Sequence, residues 1–162
     1  MTVRRKKGGY FPCREEAPAP LVARVGRRVR FSEVDVMGIA WFGRYAAFFE
    51  EGSAELGRLC GLSYEDFADA GLRAPIVQFH TDYHRPLALD EEFTIVTSLV
   101  WSEGARLNTE YSLIDKQEDV TATAYTVQML VDAVTGEPCL TPPELLARFR
   151  RRWKAGEFVG LK

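Results

Sequence analysis

Apolar and polar positions change their period twice along this chain, and each change marks a different kind of element. From Val22 to Phe31 the alternation is broken but legible: Val25, Val29 and Phe31 share one face of a predicted strand, with arginines largely on the other. Ser32 to Gly38 reads as a loop. From near Gly43 to Cys60 the spacing turns helical, with Tyr45, Phe48, Phe49, Leu56 and Leu59 forming one apolar stripe and Gly61 placed for a left-handed cap. Gly52 and Gly57 weaken that helix locally, so tertiary packing has to hold it. A short second helix is predicted to start at Ser63, with Asp66 three residues on, and to stop at Gly71.

Period two then returns. In Ile76 to His84, Val77, Phe79 and Tyr83 face one way and Gln78, His80, Asp82 and His84 the other. Phe93 to Trp101 and Ala105 to Ile114 are joined by Ser102-Glu103-Gly104, a hairpin link, and Asp115 to Asp119 turns the chain into Val120 to Val131. Asp132 to Pro138 reads as a loop. A last helix is signalled by Thr141 as cap, Pro142 in the first turn and Glu144 completing a capping box. Its buried face is Leu145, Leu146, Phe149 and Trp153, and its remainder is basic: Arg148, Arg150, Arg151, Arg152 and Lys154.

One long helix cannot bury its stripe alone, and an antiparallel sheet with one apolar face needs a cover. Wrapping the sheet around the helix satisfies both. The fold class is therefore α+β, a single domain over 22–162 with an extra C-terminal helix. Residues 1–21, ending in Ala17-Pro18-Ala19-Pro20, form a flexible leader.

Composition narrows the function. At 162 residues with 46% hydrophobic content, the chain has enough apolar surface for one core. A net charge of -2 gives no global pull toward nucleic acid or an anionic membrane, and the basic cluster Arg4 to Lys7 reads as a solvated tail. No apolar stretch is long enough to span a bilayer, and no apolar region follows the basic start as in a signal peptide. Cys13, Cys60 and Cys139 are odd in number and scattered, which argues for a reducing compartment, the cytoplasm, and against a disulfide framework.

The chemistry concentrates between Phe31 and Tyr45. This segment sets a carboxylate, Asp35, in a loop between a strand and the start of a long aromatic helix. Unpaired N–H groups at a helix start can hold a carbonyl oxygen as it becomes anionic, and Asp35 can activate water or attack the acyl carbon itself. Gly38 and Gly43 would let a substrate approach the backbone. The competing reading of a loop Asp before a helix is a cap or turn residue. Glu33, two residues from Asp35, either points to solvent or pairs with a nearby arginine; buried beside Asp35, it would raise that carboxyl's pKa.

The same stretch resembles the signature of the 4-hydroxybenzoyl-CoA thioesterase family: Asp35, Gly38-Ile39, Tyr45, then Phe48-Phe49-Glu50. Tyr83, Arg85-Pro86 and Asp90 are similar to a later, weaker pattern of that family. The resemblance covers roughly residues 24 to 135 and implies a hotdog fold, an antiparallel sheet wrapped around one central helix. It also implies an acyl-CoA thioesterase with Asp35 as nucleophile or general base and the Phe42 backbone amide polarising the thioester carbonyl. The family pattern often carries His or Tyr at Phe42 and Asn at Arg44. Homodimers, or dimers of dimers, with sites at subunit junctions are implied too, and no cofactor beyond the CoA of the substrate. Arg85, Arg106 and the arginines of the last helix are candidates for the CoA phosphates; Trp41, Tyr45 and Phe49 are candidates for the acyl pocket, weighed against a core role.

His80, Asp82 and His84 share a strand face; they are expected to be the polar outer side of the sheet rather than metal ligands. Cys60 is expected in the core. The alternatives to hydrolysis are a hotdog dehydratase or hydratase using His80 or His84, and a non-catalytic module binding acyl-CoA or acyl carrier protein.

Overall fold

The computed structural model describes residues 9–12 and 14–161. The basic cluster Arg4 to Lys7 and Cys13 lie outside the described residues. Element order is β1 (Leu21–Arg28), α1 (Tyr45–Cys60), α2 (Tyr64–Asp69), β2 (Leu72–Arg73), β3 (Ile76–Tyr83), β4 (Glu92–Val100), β5 (Arg106–Asp115), β6 (Val120–Met129), β7 (Val131–Asp132) and α3 (Glu144–Lys154). Five strands form one antiparallel sheet in the order β1-β4-β5-β6-β3, so β1 and β3 are its edges. No helix among the described residues is long and apolar enough to cross a membrane.

The sheet curls around α1 as the helical stripe requires, which is the hotdog arrangement. Tyr45, Phe48, Phe49, Gly52, Leu56, Gly57 and Cys60 of α1 are buried. Two apolar clusters result. Under the first half of the helix, Phe48 and Phe49 pack with Phe93, Ile95, Tyr111 and Leu113. Under the second half, Leu56 and Cys60 pack with Leu99, Leu107 and the α3 residues Leu146, Phe149 and Trp153. Gly61, at φ +77°, closes α1 in the left-handed region, and Ser63 caps α2 by accepting from the Asp66 N–H at 3.2 Å.

Gly52 is a packing residue. A Cβ there would overlap Thr97 Oγ1 and come within 2.8 Å of Ile95 Cγ2, so its absence lets α1 lie directly on β4. Gly57 has the same role against the Leu62 carbonyl, 2.6 Å from where a Cβ would sit.

Four local expectations change. The β1 ladder ends at Arg28 opposite Glu92, and Phe31 leaves the strand for a 3-10 turn, Phe31–Glu33, with 83% of its surface exposed. Arg27 points to the apolar side of the sheet with Val25 and Val29, breaking the expected division of faces. The last helix starts at Glu144 with Pro143 as its cap residue, and Thr141 makes no capping bond. The reason is the Pro142-Pro143 pair: a residue before proline is disfavoured in helical geometry, which keeps Thr141 and Pro142 out of the helix. Finally, β2 and β7 pair as a two-residue ribbon too short to show any period in the sequence.

The leader also gains contacts. Tyr10 and Phe11 lie against the outer face of the sheet, with Tyr10 5.0 Å and Phe11 5.4 Å from the Tyr125 ring.

Candidate active site

The Phe31 to Tyr45 segment is built as a small ribbon on the rim of the sheet. Its turn is closed by the Asp35 N–H donating to Ile39 O at 2.9 Å and the Gly38 N–H donating to Asp35 O at 3.0 Å. Gly38 sits at φ +74°, a conformation that glycine adopts without strain. Val34 bridges Ala40, Ile39 bridges Ala88, and the Ala40 N–H donates to Leu87 O at 2.7 Å. The ribbon is thus stitched to the loop between β3 and β4.

Asp35 is half-buried. One carboxylate oxygen, Oδ1, accepts the Met37 N–H at 2.8 Å, the geometry of an Asx-turn. Among the described residues no cation pairs with it. The turn reading and the chemical reading therefore coexist: one oxygen orients the group and the other is unengaged among the described residues.

Seven residues on, a 3-10 turn, Phe42–Arg44, leads into α1. The first N–H with an internal acceptor is that of Arg44, bonded to Trp41 O at 2.8 Å. The Phe42 and Gly43 N–H groups have no backbone acceptor among the described residues, as expected for the opening of a helical segment. The Phe42 carbonyl accepts the Tyr83 hydroxyl at 3.2 Å, tying this turn to the end of β3. The Phe42 ring is 67% exposed.

The other expected site residues divide. Trp41, 47% exposed, packs at a tilt against Phe42, 5.2 Å between ring centres, and covers Gly43 so closely that a Cβ there would collide with its indole. The open side of Gly43 is therefore filled by a neighbouring ring. Tyr45 and Phe49 are each 2% exposed: Tyr45 meets Tyr83 edge-on at 4.8 Å, and Phe49 lies 5.0 Å from Tyr111. They form the floor beneath the site.

Arg85 is taken up by its own chain. Its Nη2 reaches Asp115 Oδ2 at 2.7 Å and Glu91 Oε1 at 2.5 Å, and Nη1 donates to Pro86 O at 2.9 Å. These carboxylates raise the Arg85 pKa further above its ordinary value, with Glu91 the larger cause. Glu91 is held low in turn by Arg85, and Asp115 chiefly by the Asp119 N–H and then by Arg85. Because Glu91 Oε2 also accepts the Ala88 N–H at 2.9 Å, Arg85 stiffens the loop that pairs with the Asp35 ribbon. Arg106 stands at the start of β5, whose far end carries Asp115, so it lies across the sheet from Asp35 within one chain. Of the last helix, Arg150 is buried and donates to the Gly104 and Glu103 carbonyls at 2.6 and 3.1 Å.

Beneath the ribbon, Glu33 is buried and takes one of its two expected courses, pairing with Arg27, whose own place there escaped the sequence reading. The signal was present, since Arg27 shares the parity of Val25 and Val29.

On the opposite sheet face, His80 Nε2 lies 3.0 Å from Asp82 Oδ2, which also accepts the Tyr10 hydroxyl at 2.6 Å; His84 bonds Thr123 at 3.0 Å. Tyr10 is pushed up to about 12, by burial first and then by Asp82. Among the described residues no group of three or more His, Cys, Asp and Glu is arranged to hold a metal. Cys60 is buried, and that burial pushes its thiol up to about 12, far from a reactive thiolate.

Comparison with known proteins adds to this geometry. Residues 29–149 match the family model of the thioesterase-like superfamily. Over 94 residues the chain is 33% identical to an Aquifex aeolicus protein named "Putative esterase", covering 58% of this chain and 72% of that one. Over 110 residues it is 26% identical to the Bacillus subtilis "Putative acyl-CoA thioesterase YneP", covering 68% and 80%. A solved structure of a DHNA-CoA thioesterase from Staphylococcus aureus superposes with a TM-score of 0.71 at 20% identity, covering 84% of this chain and 88% of that one.

Proposed function

The chain belongs to the thioesterase-like superfamily and is a thioester hydrolase acting on acyl-CoA, and from that premise we propose that Asp35 and the amides of Phe42 and Gly43 form its catalytic centre. The observation that carries this reading is the ribbon itself. Among the described residues it holds a carboxylate with one oxygen unengaged and, seven residues on, two amides without backbone acceptors at the opening of the central helix.

The thioester carbonyl oxygen accepts from the Phe42 and Gly43 N–H groups, which stabilise the charge that develops there as the carbon becomes tetrahedral. Asp35 either attacks that carbon directly, giving a mixed anhydride that water opens, or takes a proton from water as the water attacks. In both routes the carbon–sulfur bond breaks, CoA leaves as thiol, and the acid is released; water is the only co-reactant. Labelled water in a single turnover bears on the choice: solvent oxygen in Asp35 proves direct attack, with water opening the anhydride at the Asp35 carbonyl, because the general-base route never labels that side chain.

Within the superfamily we assign the chain to the 4-hydroxybenzoyl-CoA thioesterase branch, on Asp35, Gly38-Ile39, Tyr45 and Glu50. For the CoA phosphates, Arg30 and Arg44 at the two ends of the ribbon fit better than Arg85 or Arg106. Neither has a carboxylate partner among the described residues, and Arg44 donates only to Ser32 O at 3.2 Å. A homodimer joined along β3 is the assembly we favour. That edge strand leaves Ile76, Val77, Phe79 and Tyr83 exposed, Tyr83 reaching the Phe42 carbonyl, and an unpaired apolar edge calls for a partner. Sedimentation equilibrium at assay concentration tests this, and a monomer with full activity rejects it. Free Cys60 and Cys139 fit the cytoplasm.

Thiol release across benzoyl, phenylacetyl, short-chain and long-chain CoA esters is the direct test of the reaction. Asp35→Asn should lower kcat by about 10²–10⁴-fold on the best substrate while the protein stays folded. Undiminished turnover in that variant would remove Asp35 from the chemistry. The histidine-dependent hydratase reading is weaker, because His80 lies on the sheet face turned away from α1, stacked 5.5 Å from Tyr125.

A further inference from the structure

Arg27 and Glu33 take no part in the chemistry above, yet they meet directly under the ribbon that carries it. Arg27 is only 7% exposed at its side chain and lies on the inner face of β1, its guanidinium 4.6 Å from the centre of the Phe48 ring. Its Nη2 pairs with Glu33 Oε1 and its Nε with Glu51 Oε2 on α1 at 3.2 Å, while Nη1 is buried with no partner among the described residues. A buried cation with an unsatisfied donor is destabilising relative to an apolar side chain of the same size. Ordinary core packing does not account for it.

Glu33 is tied at both of its ends. Its Oε2 accepts the Arg30 N–H at 2.9 Å, and its main-chain carbonyl accepts the Trp41 N–H at 2.8 Å. Trp41 immediately precedes the Phe42 amide, and Asp35 follows Glu33 by two residues. One residue therefore fastens the two limbs of the ribbon together, and Arg27 fastens that residue to β1 and to α1.

We propose that Arg27, Glu33 and Glu51 are positioning residues that set the separation between the Asp35 carboxylate and the Phe42 and Gly43 amides. This rests on the catalytic role given to Asp35. A displacement of about 1 Å between reacting groups can lower a rate on the order of 10²-fold. The Glu33 carboxylate joins the ribbon to Arg27 and so to the frame, while the main-chain carbonyl that joins the two limbs survives its substitution.

The test uses the full-length protein and compares Glu33→Ala, Glu33→Gln and Glu51→Gln with wild type. Glu33→Ala should lose about 100-fold in kcat with KM within about threefold, and Glu33→Gln, which keeps an oxygen for the Arg30 N–H, about tenfold. In an Asp35→Asn background, Glu33→Ala should cost nothing further, because a residue acting through Asp35 is not additive with it. A merely structural role would lower the melting temperature, and Glu33→Ala would then leave kcat intact below it or cut it by the same factor with and without Asp35→Asn. Either of those last two results overturns the proposal. If Glu33→Ala does not fold, wild-type kcat in both Glu33→Gln and Glu51→Gln overturns it instead. An active Asp35→Asn variant would reject the catalytic reading itself, whereas inactive Asp35→Asn beside fully active Glu33 variants rejects the positioning role alone.

Discussion

Replacing Phe42 by proline removes one N–H from the proposed oxyanion site and very little else. The Phe42 N–H has no backbone acceptor among the described residues, so its loss breaks no internal bond. Phe42 is the first residue of a 3-10 turn, a position where proline's fixed φ near −65° is already suited. Trp41 before it has φ −63° and ψ 133°, in the extended region that a residue preceding proline prefers. The Phe42 carbonyl, which accepts from Tyr83 and Tyr45, is retained.

The ring that is lost is two-thirds exposed and contacts Trp41, worth roughly 0.5–1.5 kcal/mol as an aromatic pair. Restriction of the unfolded chain by proline returns about 0.4–1 kcal/mol, so the net change in stability is near zero. The catalytic change is not. Loss of one preorganised donor costs about 2.7–4 kcal/mol of transition-state stabilisation, or 10²–10³ in kcat. Phe42→Ala is the companion variant, keeping the amide while losing the ring. Thiol release should fall by at least 100-fold in Phe42→Pro and by only a few-fold in Phe42→Ala, with thermal melts of the two alike. Equal activities in the two variants, or a deep loss in both, would refute the assignment of the amide.

Two further perturbations probe the frame. Gly52→Ala should destabilise by about 1–3 kcal/mol, because overlap with Thr97 and Ile95 outweighs the helix-propensity gain of about 1 kcal/mol. The melting temperature should drop by about 2–4 °C for each kcal/mol, and Thr97→Ala in the same chain should recover part of the loss; a stabilised Gly52→Ala would mean that α1 is not seated on β4. Arg85→Met should destabilise near neutral pH, with the gap to wild type closing in acid. Arg85 depresses the folded-state pKa of Glu91, so its contribution is present above the unfolded value near 4.3 and fades as pH falls through the folded one. Chemical denaturation at pH 7 and pH 3 measures both gaps, and a gap that widens in acid would contradict the clamp.

The elements themselves were legible because each rests on local pattern. The stripe Tyr45, Phe48, Phe49 and Leu56 has one periodicity and one partner surface, so any core that buries it makes α1. Phe79 and Tyr83 likewise turn one face of β3 toward α1, as the Phe49–Phe79 and Tyr45–Tyr83 ring contacts show, although half of each stays exposed on this edge strand, and the register shift at Val77 takes that residue out of the pattern. The signature from Asp35 to Glu50 pointed to thioester chemistry before any geometry was known.

What the sequence left open was settled by partners distant along the chain. Arg85 read as a free cation until Glu91 and Asp115 claimed it, and Arg150 as surface charge until the β4–β5 link supplied its carbonyls. Glu33 read as either solvated or paired with some arginine, and only folding names Arg27 as that partner beneath the ribbon, where α1 adds Glu51. The distinction is physical. Hydrophobic periodicity is a property of neighbouring residues, whereas a charge's role depends on which opposite charge the fold delivers within a few ångströms, and only closure of the sheet around α1 determines that.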